Sequence, residues 1–300
     1  MPILTLLMTL ACQTPPADPP AEVLSEPTTA GGVPLSQVME RMGESTIRLS
    51  QTPGGGQLMN IIHAHGGFEP WFTPGTIAFD FDYQTESQSD KRRYTRSRVD
   101  LWSSRAVQEE LGEGADARLG WDGQQSWIVP DRAAFPAPPR FWATTPYYFV
   151  AIPWVLGDPG VSVAAKPAEM VQDPELGERE LGVLEISFEA NTGDSPDDRY
   201  VIYYDLQTNL VEAVRYTVTY EGFHPDGGQS PAKILFYRQR EEVSGLLLAT
   251  HYDGYAWNDG EPVERVSTVD VAGIELGVPL SDADFAPPEG AVVSGELDGR

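Results

Sequence analysis

The chain reads as a mainly β protein with a few helices: one strongly curved antiparallel sheet of about ten strands, a half-barrel, whose concave face is plugged by short helices. Three observations carry that expectation. From Thr76 onward the apolar residues recur every second position in run after run. Helical spacing is confined to two stretches before Thr76. Between them and the later strands, Phe141 to Gly157 carries no charged residue, in a chain of formal net charge −25.

The two leading helices come first. Leu35, Val38, Met39 and Met42 fall at i, i+3, i+4 and i+7 after Pro34, one apolar stripe. Leu58, Ile61, Ile62 and His65 repeat the spacing, and Gly66-Gly67 follows as a stop, since glycine takes the left-handed conformation that ends helices. His63 and His65 lie two apart, so a helix points them to different faces. A histidine in a last turn is favoured by the helix dipole without any metal.

The strands follow. Ile77, Phe79, Phe81 and Tyr83 alternate with Ala78, Asp80 and Asp82, the pattern of a half-buried strand with one wet face. Val99 and Leu101 mark a second strand behind a basic run of Lys91, Arg92, Arg93, Arg96 and Arg98, read as a solvated strand face. Gly120-Trp121-Asp122-Gly123 is a turn between Ala117–Leu119 and Ser126–Val129. After the uncharged stretch the alternation resumes at Leu184–Phe188, at Tyr200–Tyr204 and along Leu210 to Tyr220. Further strands are expected at 234–238, 246–251, 263–271 and near Ile274. So many strands do not stay flat and open. The sheet curls, and its apolar face becomes a concavity that the helices fill.

The uncharged stretch holds Phe141, Trp142, Phe149, Val150, Ile152, Trp154 and Leu156, with Tyr147 and Tyr148 as amphipathic rings. It is shorter than the roughly 20 apolar residues that span a bilayer. Pro146 suits a helix's first turn and Pro153 an end or kink. One or two short helices, apolar all round and so covered on every side, are expected.

Ile3 to Ala11 is an apolar run of signal-peptide length, ending at Cys12, the only cysteine. Thr9-Leu10-Ala11-Cys12 resembles a bacterial lipobox, which implies a lipidated Cys12 after removal of residues 1–11. Gln13 behind it resembles lipoproteins sent to the outer membrane. Residues 12–32, with Pro15, Pro16, Pro19, Pro20 and Pro27, read as an extended tether. Residues 33–292 form one domain and 293–300 a disordered tail. A single cysteine leaves no intrachain disulfide, so core packing must supply stability.

Composition narrows the function classes. Forty-five Asp and Glu against twenty Lys and Arg argue against binding a nucleic-acid backbone, which needs clustered cations. No Gly-x-Ser-x-Gly, phosphate loop, paired-cysteine site or HExxH occurs. Asp194, Asp197 and Asp198 form the tightest acidic cluster, but calcium wants six or more oxygens in a glycine-shaped loop, and Asp beside Pro is ordinary turn chemistry. No metal, cofactor or catalytic residue is expected, and the chain reads as a non-enzyme.

Several segments together resemble an uncharacterised family of bacterial envelope proteins. They are His65-Gly66-Gly67 with Trp71 and Thr76-Ile77-Ala78-Phe79; Trp121-Asp122-Gly123 with Trp127; and Arg140-Phe141-Trp142 through Pro153-Trp154-Val155-Leu156-Gly157-Asp158-Pro159-Gly160-Val161. The closest match is Gly193-Asp194-Ser195-Pro196-Asp197-Asp198-Arg199-Tyr200 into Tyr203-Tyr204-Asp205, and Phe285-Ala286-Pro287-Pro288-Glu289-Gly290 fits the ending. More distantly the layout is similar to lipoprotein carriers of the LolA, LolB and LppX type. That resemblance implies a half-barrel whose concavity binds acyl chains, with Phe141, Trp142, Tyr147, Tyr148, Phe149, Ile152 and Trp154 of the insert and Phe79 and Phe81 of the sheet as ligand-binding residues. A hydrophobic small molecule or lipid is then the expected partner, and the membrane a second one through the anchor. The competing readings are a structural or protein-interaction lipoprotein with a self-filled cavity and an envelope hydrolase whose site no motif nominates.

Overall fold

The computed structural model describes residues 32–294 apart from 87–91, 190–194, 196 and 225. Cys12, the signal-like run, all of the tether but Gly32, and tail residues 295–300 lie outside the described residues, as do Lys91 and Asp194.

Helices α1 (Leu35–Ser50), α2 (Gly55–Ala64) and α3 (Glu69–Phe72) lead into strands β1 (Thr76–Thr85), β2 (Arg93–Asp100), β3 (Ala106–Glu110), β4 (Arg118–Trp121) and β5 (Ser126–Val129). Helix α4 (Pro139–Ala151) and a short 3-10 turn over Trp154–Gly157 interrupt the strands. Then come β6 (Val161–Asp173), β7 (Gly177–Phe188), β8 (Arg199–Tyr204), β9 (Val211–Thr217), β10 (Lys233–Tyr237), β11 (Arg240–Val243), β12 (Leu246–Ala249), β13 (His251–Asn258) and β14 (Glu261–Leu276). Helix α5 (Asp282–Phe285) and β15 (Val292–Ser294) close the described chain. Among the described residues thirteen strands make one antiparallel sheet, ordered β15-β5-β4-β3-β2-β1-β14-β13-β10-β9-β8-β7-β6, and β11 pairs with β12 apart from it. The sheet is curved and unclosed, with edges at β15 and β6, as the alternation predicts.

Its phase follows the sequence. Phe79 and Phe81 are fully buried on the concave side, while Asp80 on the other face meets Arg96 at 3.1 Å. The basic run is a paired face rather than a merely solvated one: Arg92 holds Asp82, Arg96 also reaches Glu275, and Arg98 reaches Glu109. Arg93 differs from the expectation. It turns inward, its guanidinium 4.8 Å from the Trp142 ring and 5.3 Å from that of Tyr83. The Asp122 turn forms as expected, its carboxylate accepting from the Gln124 and Gln125 N–H groups at 2.8 Å.

Helix α1 runs longer than the four-residue stripe suggests and buries only part of it, with Met42 packed against the core. Val38, Ser45 and Leu49 face inward, while Leu35 and Met39 are exposed. Arg41 and Arg48 of the same helix reach the 154–158 segment. Arg41 donates to Asp158 at 3.0 Å and Arg48 to the Gly157 carbonyl.

The back of the sheet carries its own core. Between Lys166 and Glu169 the β6–β7 pairing shifts register at Pro167, where a proline is tolerated on an edge strand. Beyond that bulge the hairpin covers the convex face. Val171, Leu181 and Val183 form a buried cluster with Val201, Tyr203, Ala213, Ile234, Phe236 and Tyr255. Asp173 near the hairpin tip accepts from Arg238 at 2.7 Å, and Arg238 reaches Asp253 at 2.9 Å.

Candidate ligand-binding site

Three prolines shape α4, and each removes a donor. Pro139 opens the helix, where the N–H would be unpaired anyway. Pro146 sits inside the helix rather than opening one, which corrects the sequence expectation. Its missing N–H would orphan the Trp142 carbonyl four residues back. Buried Gln108 of β3 reaches up instead, its amide donating to the Trp142 carbonyl at 2.7 Å and the Ala143 carbonyl at 3.0 Å. Pro153 does the same to the Phe149 carbonyl, which accepts from the Tyr252 hydroxyl at 3.3 Å and the Tyr237 hydroxyl at 3.4 Å. Side chains of the sheet thus supply what the prolines take away, and α4 is fixed to the concavity at two places along its length.

The helix does not sit in the middle of that concavity. It packs on β2–β5. Trp142 lies among Phe81, Tyr83 and Phe135, with ring centroids 5.5–6.2 Å away. Arg140 lies 3.4 Å over the Trp121 ring. At the far end Trp154 stacks on Trp71 at 4.5 Å, and its indole N–H donates to the Gly67 carbonyl at 2.9 Å. Tyr147 stacks on the same Trp71 at 6.4 Å. This half of the half-barrel is filled by its own side chains.

The other half is not. Phe141, Thr144, Thr145, Tyr148, Phe149 and Ile152 face the concave side of β7–β10, where Phe188, Tyr200, Val214, Tyr216, Leu235 and Tyr237 stand opposite. Between them lies a cavity of about 310 Å³. Val155, Leu156 and Val161 add to its apolar wall, and Asp158, Ser195 and Asp198 are its other polar lining groups. The expectation that α4 is covered on every side is therefore corrected: Tyr148 is 38% exposed and the Phe149 face meets the cavity.

Of the nine side chains named from the sequence, Phe141, Tyr148, Phe149 and Ile152 line this cavity. Trp142, Tyr147, Trp154, Phe79 and Phe81 do not; they are buried in the packed half. The sequence does not distinguish the strand side of the cavity. Val214, Tyr216 and Val218 stand in the alternation from Leu210 to Tyr220, which gives their inward phase but does not mark them as facing empty space.

The electrostatics of the lining are set by burial. Tyr200, Tyr216 and Tyr237 have their hydroxyl pKa values pushed well up by desolvation, so they stay neutral. Burial also raises the carboxyls of Asp158 and Asp198, although the paired Arg41 opposes it at Asp158. Asp198 accepts from the Thr219 N–H at 2.6 Å and hydroxyl at 2.8 Å, while Asp197 is exposed, in keeping with the turn reading. His65 is buried against Trp154, its Nδ1 bonded to the Ile61 carbonyl at 2.8 Å, whereas His63 is exposed. Desolvation takes the His65 pKa down to about 4. No group of three or more candidate metal ligands occurs among the described residues, and none of their helices is long and apolar enough to cross a membrane.

No protein-family model matches the chain, and no curated protein matches it. Solved structures do. The chain is similar to a DUF1329 family protein from Desulfovibrio piger, at 12% identity and a TM-score of 0.49, over 79% of this chain and 98% of that one. It is similar to a LolA superfamily protein from Nitrosomonas europaea, at 12% identity and a TM-score of 0.48, over 75% and 96%. A putative outer membrane lipoprotein-sorting protein domain from Vibrio parahaemolyticus matches at 9% identity and a TM-score of 0.42, over 71% and 89%. The distant LolA-type likeness read from the sequence is met again among these structures.

Proposed function

We propose that the protein binds a hydrophobic ligand, an acyl chain or comparable apolar group, between α4 and β7–β10, and serves as a carrier or sensor in the cell envelope, held there by a lipid on Cys12. The observation that carries this reading is the cavity itself. Its volume of about 310 Å³ falls at the lower end of the ~300–1,000 Å³ range of ligand pockets, and is about twice the ~150 Å³ that accommodates a benzene ring. Its wall is aromatic and aliphatic with a few polar groups, the usual make-up of a small-molecule site. The alternative, a structural lipoprotein with a self-filled concavity, describes the β1–β5 half well. The open β7–β10 half is what favours a ligand.

Native mass spectrometry of the protein purified from its own envelope tests the reading. A retained lipid-sized adduct that leaves on mild activation supports it, and a bare polypeptide mass supports the structural alternative. The anchor is tested in the same preparation: Cys12→Ser should move the protein from the membrane fraction to the soluble one. A wild-type protein that is already soluble and begins at another residue excludes lipidation.

A further inference from the structure

The lining of the cavity has a chemical bias that bears on the ligand's head. Its described residues include no Lys, Arg or His, and two of them are carboxylates, Asp158 and Asp198. These two are not equivalent. Asp158 is met by Arg41 of α1 at 3.0 Å, so its charge is largely answered from outside the cavity. Asp198 is 6% exposed and makes no ion pair among the described residues. The Thr219 N–H and hydroxyl both go to one oxygen, Oδ1, and neighbouring Arg199 turns a guanidinium N–H to the Asp198 main-chain carbonyl at 3.3 Å, not to its carboxylate. Tyr200, Tyr216 and Tyr237 carry neutral hydroxyls in the same wall.

A ligand with an anionic head would therefore bring its charge toward a buried carboxylate with no cation among the described lining residues to receive it. Burying an unpaired charge is costly, and burying two of like sign beside each other is more so. A head that donates hydrogen bonds meets the opposite situation. Resting on the reading of this cavity as a ligand site, we propose that it selects amphiphiles whose head is a hydrogen-bond donor, an ammonium above all and a hydroxyl next, and rejects carboxylate and phosphate heads. Asp198 is the acceptor, and the apolar tail lies along Phe149, Val214 and Leu235. Burial raises the Asp198 carboxyl while Thr219 and, less strongly, Arg199 oppose it, and an ammonium seated beside it would favour its charged form further.

The test uses one tail and three heads. Dodecylammonium, dodecanol and dodecanoate compete, near neutral pH and below their micelle concentrations, with the neutral dye phenylnaphthylamine on the full chain. The expected order is ammonium, then alcohol, then carboxylate, with at least a tenfold gap between the first and last. A chain of net charge −25 attracts any cation loosely, so the series is repeated at high salt. Screening removes surface attraction and leaves a buried contact largely intact. Asp198→Asn keeps an oxygen for Thr219 and removes the charge, and it should shrink the gap to threefold or less. Dodecanoate binding as well as dodecylammonium, a gap that vanishes with salt, or a gap unchanged in Asp198→Asn would overturn the head-group selection while leaving the cavity reading standing if dodecanol binds. Failure of all three ligands and of the dye overturns both.

Discussion

Trp154 and Phe149 are five residues apart in the same uncharged stretch, and the structure gives them opposite energetic roles. Trp154 is 1% exposed, stacked on Trp71, edge-on to His65 and hydrogen-bonded to Gly67. Replacing it by Ala removes a large ring from a packed site, which costs about 3–5 kcal/mol, and leaves the Gly67 carbonyl unpaired; the upper part of that range is expected. Phe149 has Phe81 on one edge at 5.5 Å and Tyr252 at 6.0 Å, but its other side meets the cavity. Fewer contacts are lost there, so Phe149→Ala should cost about 1–2 kcal/mol. The difference of about 3 kcal/mol is readable in urea. With a slope of about 3 kcal/mol per molar, the two midpoints should lie about 1 M apart. Trp154→Phe, which keeps most of the stack and loses the hydrogen bond, should fall between them. Equal midpoints for the two Ala variants would refute the division of the concavity into a filled half and an open half.

Other outcomes follow from the same packing. Phe79→Asp places a charge at a fully buried position and should destabilise the domain by several kcal/mol, whereas Asp80→Asn touches one partly exposed ion pair with Arg96 and should cost at most about 1 kcal/mol; similar urea midpoints would mean the strand phase is wrong. His65 supplies a pH dependence. Its pKa is about 4 folded against 6.5 unfolded, so the unfolded chain takes up the proton first; the neutral ring's contribution is complete above pH 6.5 and is lost as pH falls toward 4, by up to about 3 kcal/mol. The midpoint of wild type minus that of His65→Asn should therefore decline between pH 6.5 and 5, and a flat difference would show that His65 is solvated.

Much of the fold was legible because alternation survives wherever one face is wet. Phe79 and Phe81 against Asp80 and Asp82 fixed both the strand and its phase. The strands that the alternation does not reveal lack that contrast. In β3, the inward Gln108 is polar because it serves the Trp142 carbonyl, and Glu109 and Glu110 follow it. In β6, Lys166-Pro167-Ala168-Glu169 marks a bulge at a sheet edge, where exposure on both sides erases the period. The segment 246–251 reads as one strand but is divided between β12 and β13, which belong to different sheets. Helix α1 shows another limit: Leu35 and Met39 share the apolar spacing of Val38 and Met42 but are exposed, while Arg41 and Arg48 reach the 157–158 segment, and apolar spacing alone does not separate these residues. The site was half visible for a similar reason. Hydrophobicity marks what is kept from water, and it does not distinguish Trp142, packed against Phe81, from Phe141, which borders a cavity. Only the offset of α4 toward β2–β5 separates the two, and that offset depends on contacts between residues far apart in sequence.

The proposed ligand site is the free apolar space between α4 and β7–β10. Val214→Phe tests it most directly, measured as phenylnaphthylamine binding together with the urea midpoint. In a true cavity the added ring fills existing space: stability should stay within about 1 kcal/mol of wild type or rise, and dye binding should fall at least tenfold. In a solid core the same ring overpacks, costing about 1–3 kcal/mol, and there is no wild-type dye binding to lose. That second pair of results would rule out a ligand cavity between α4 and β7–β10.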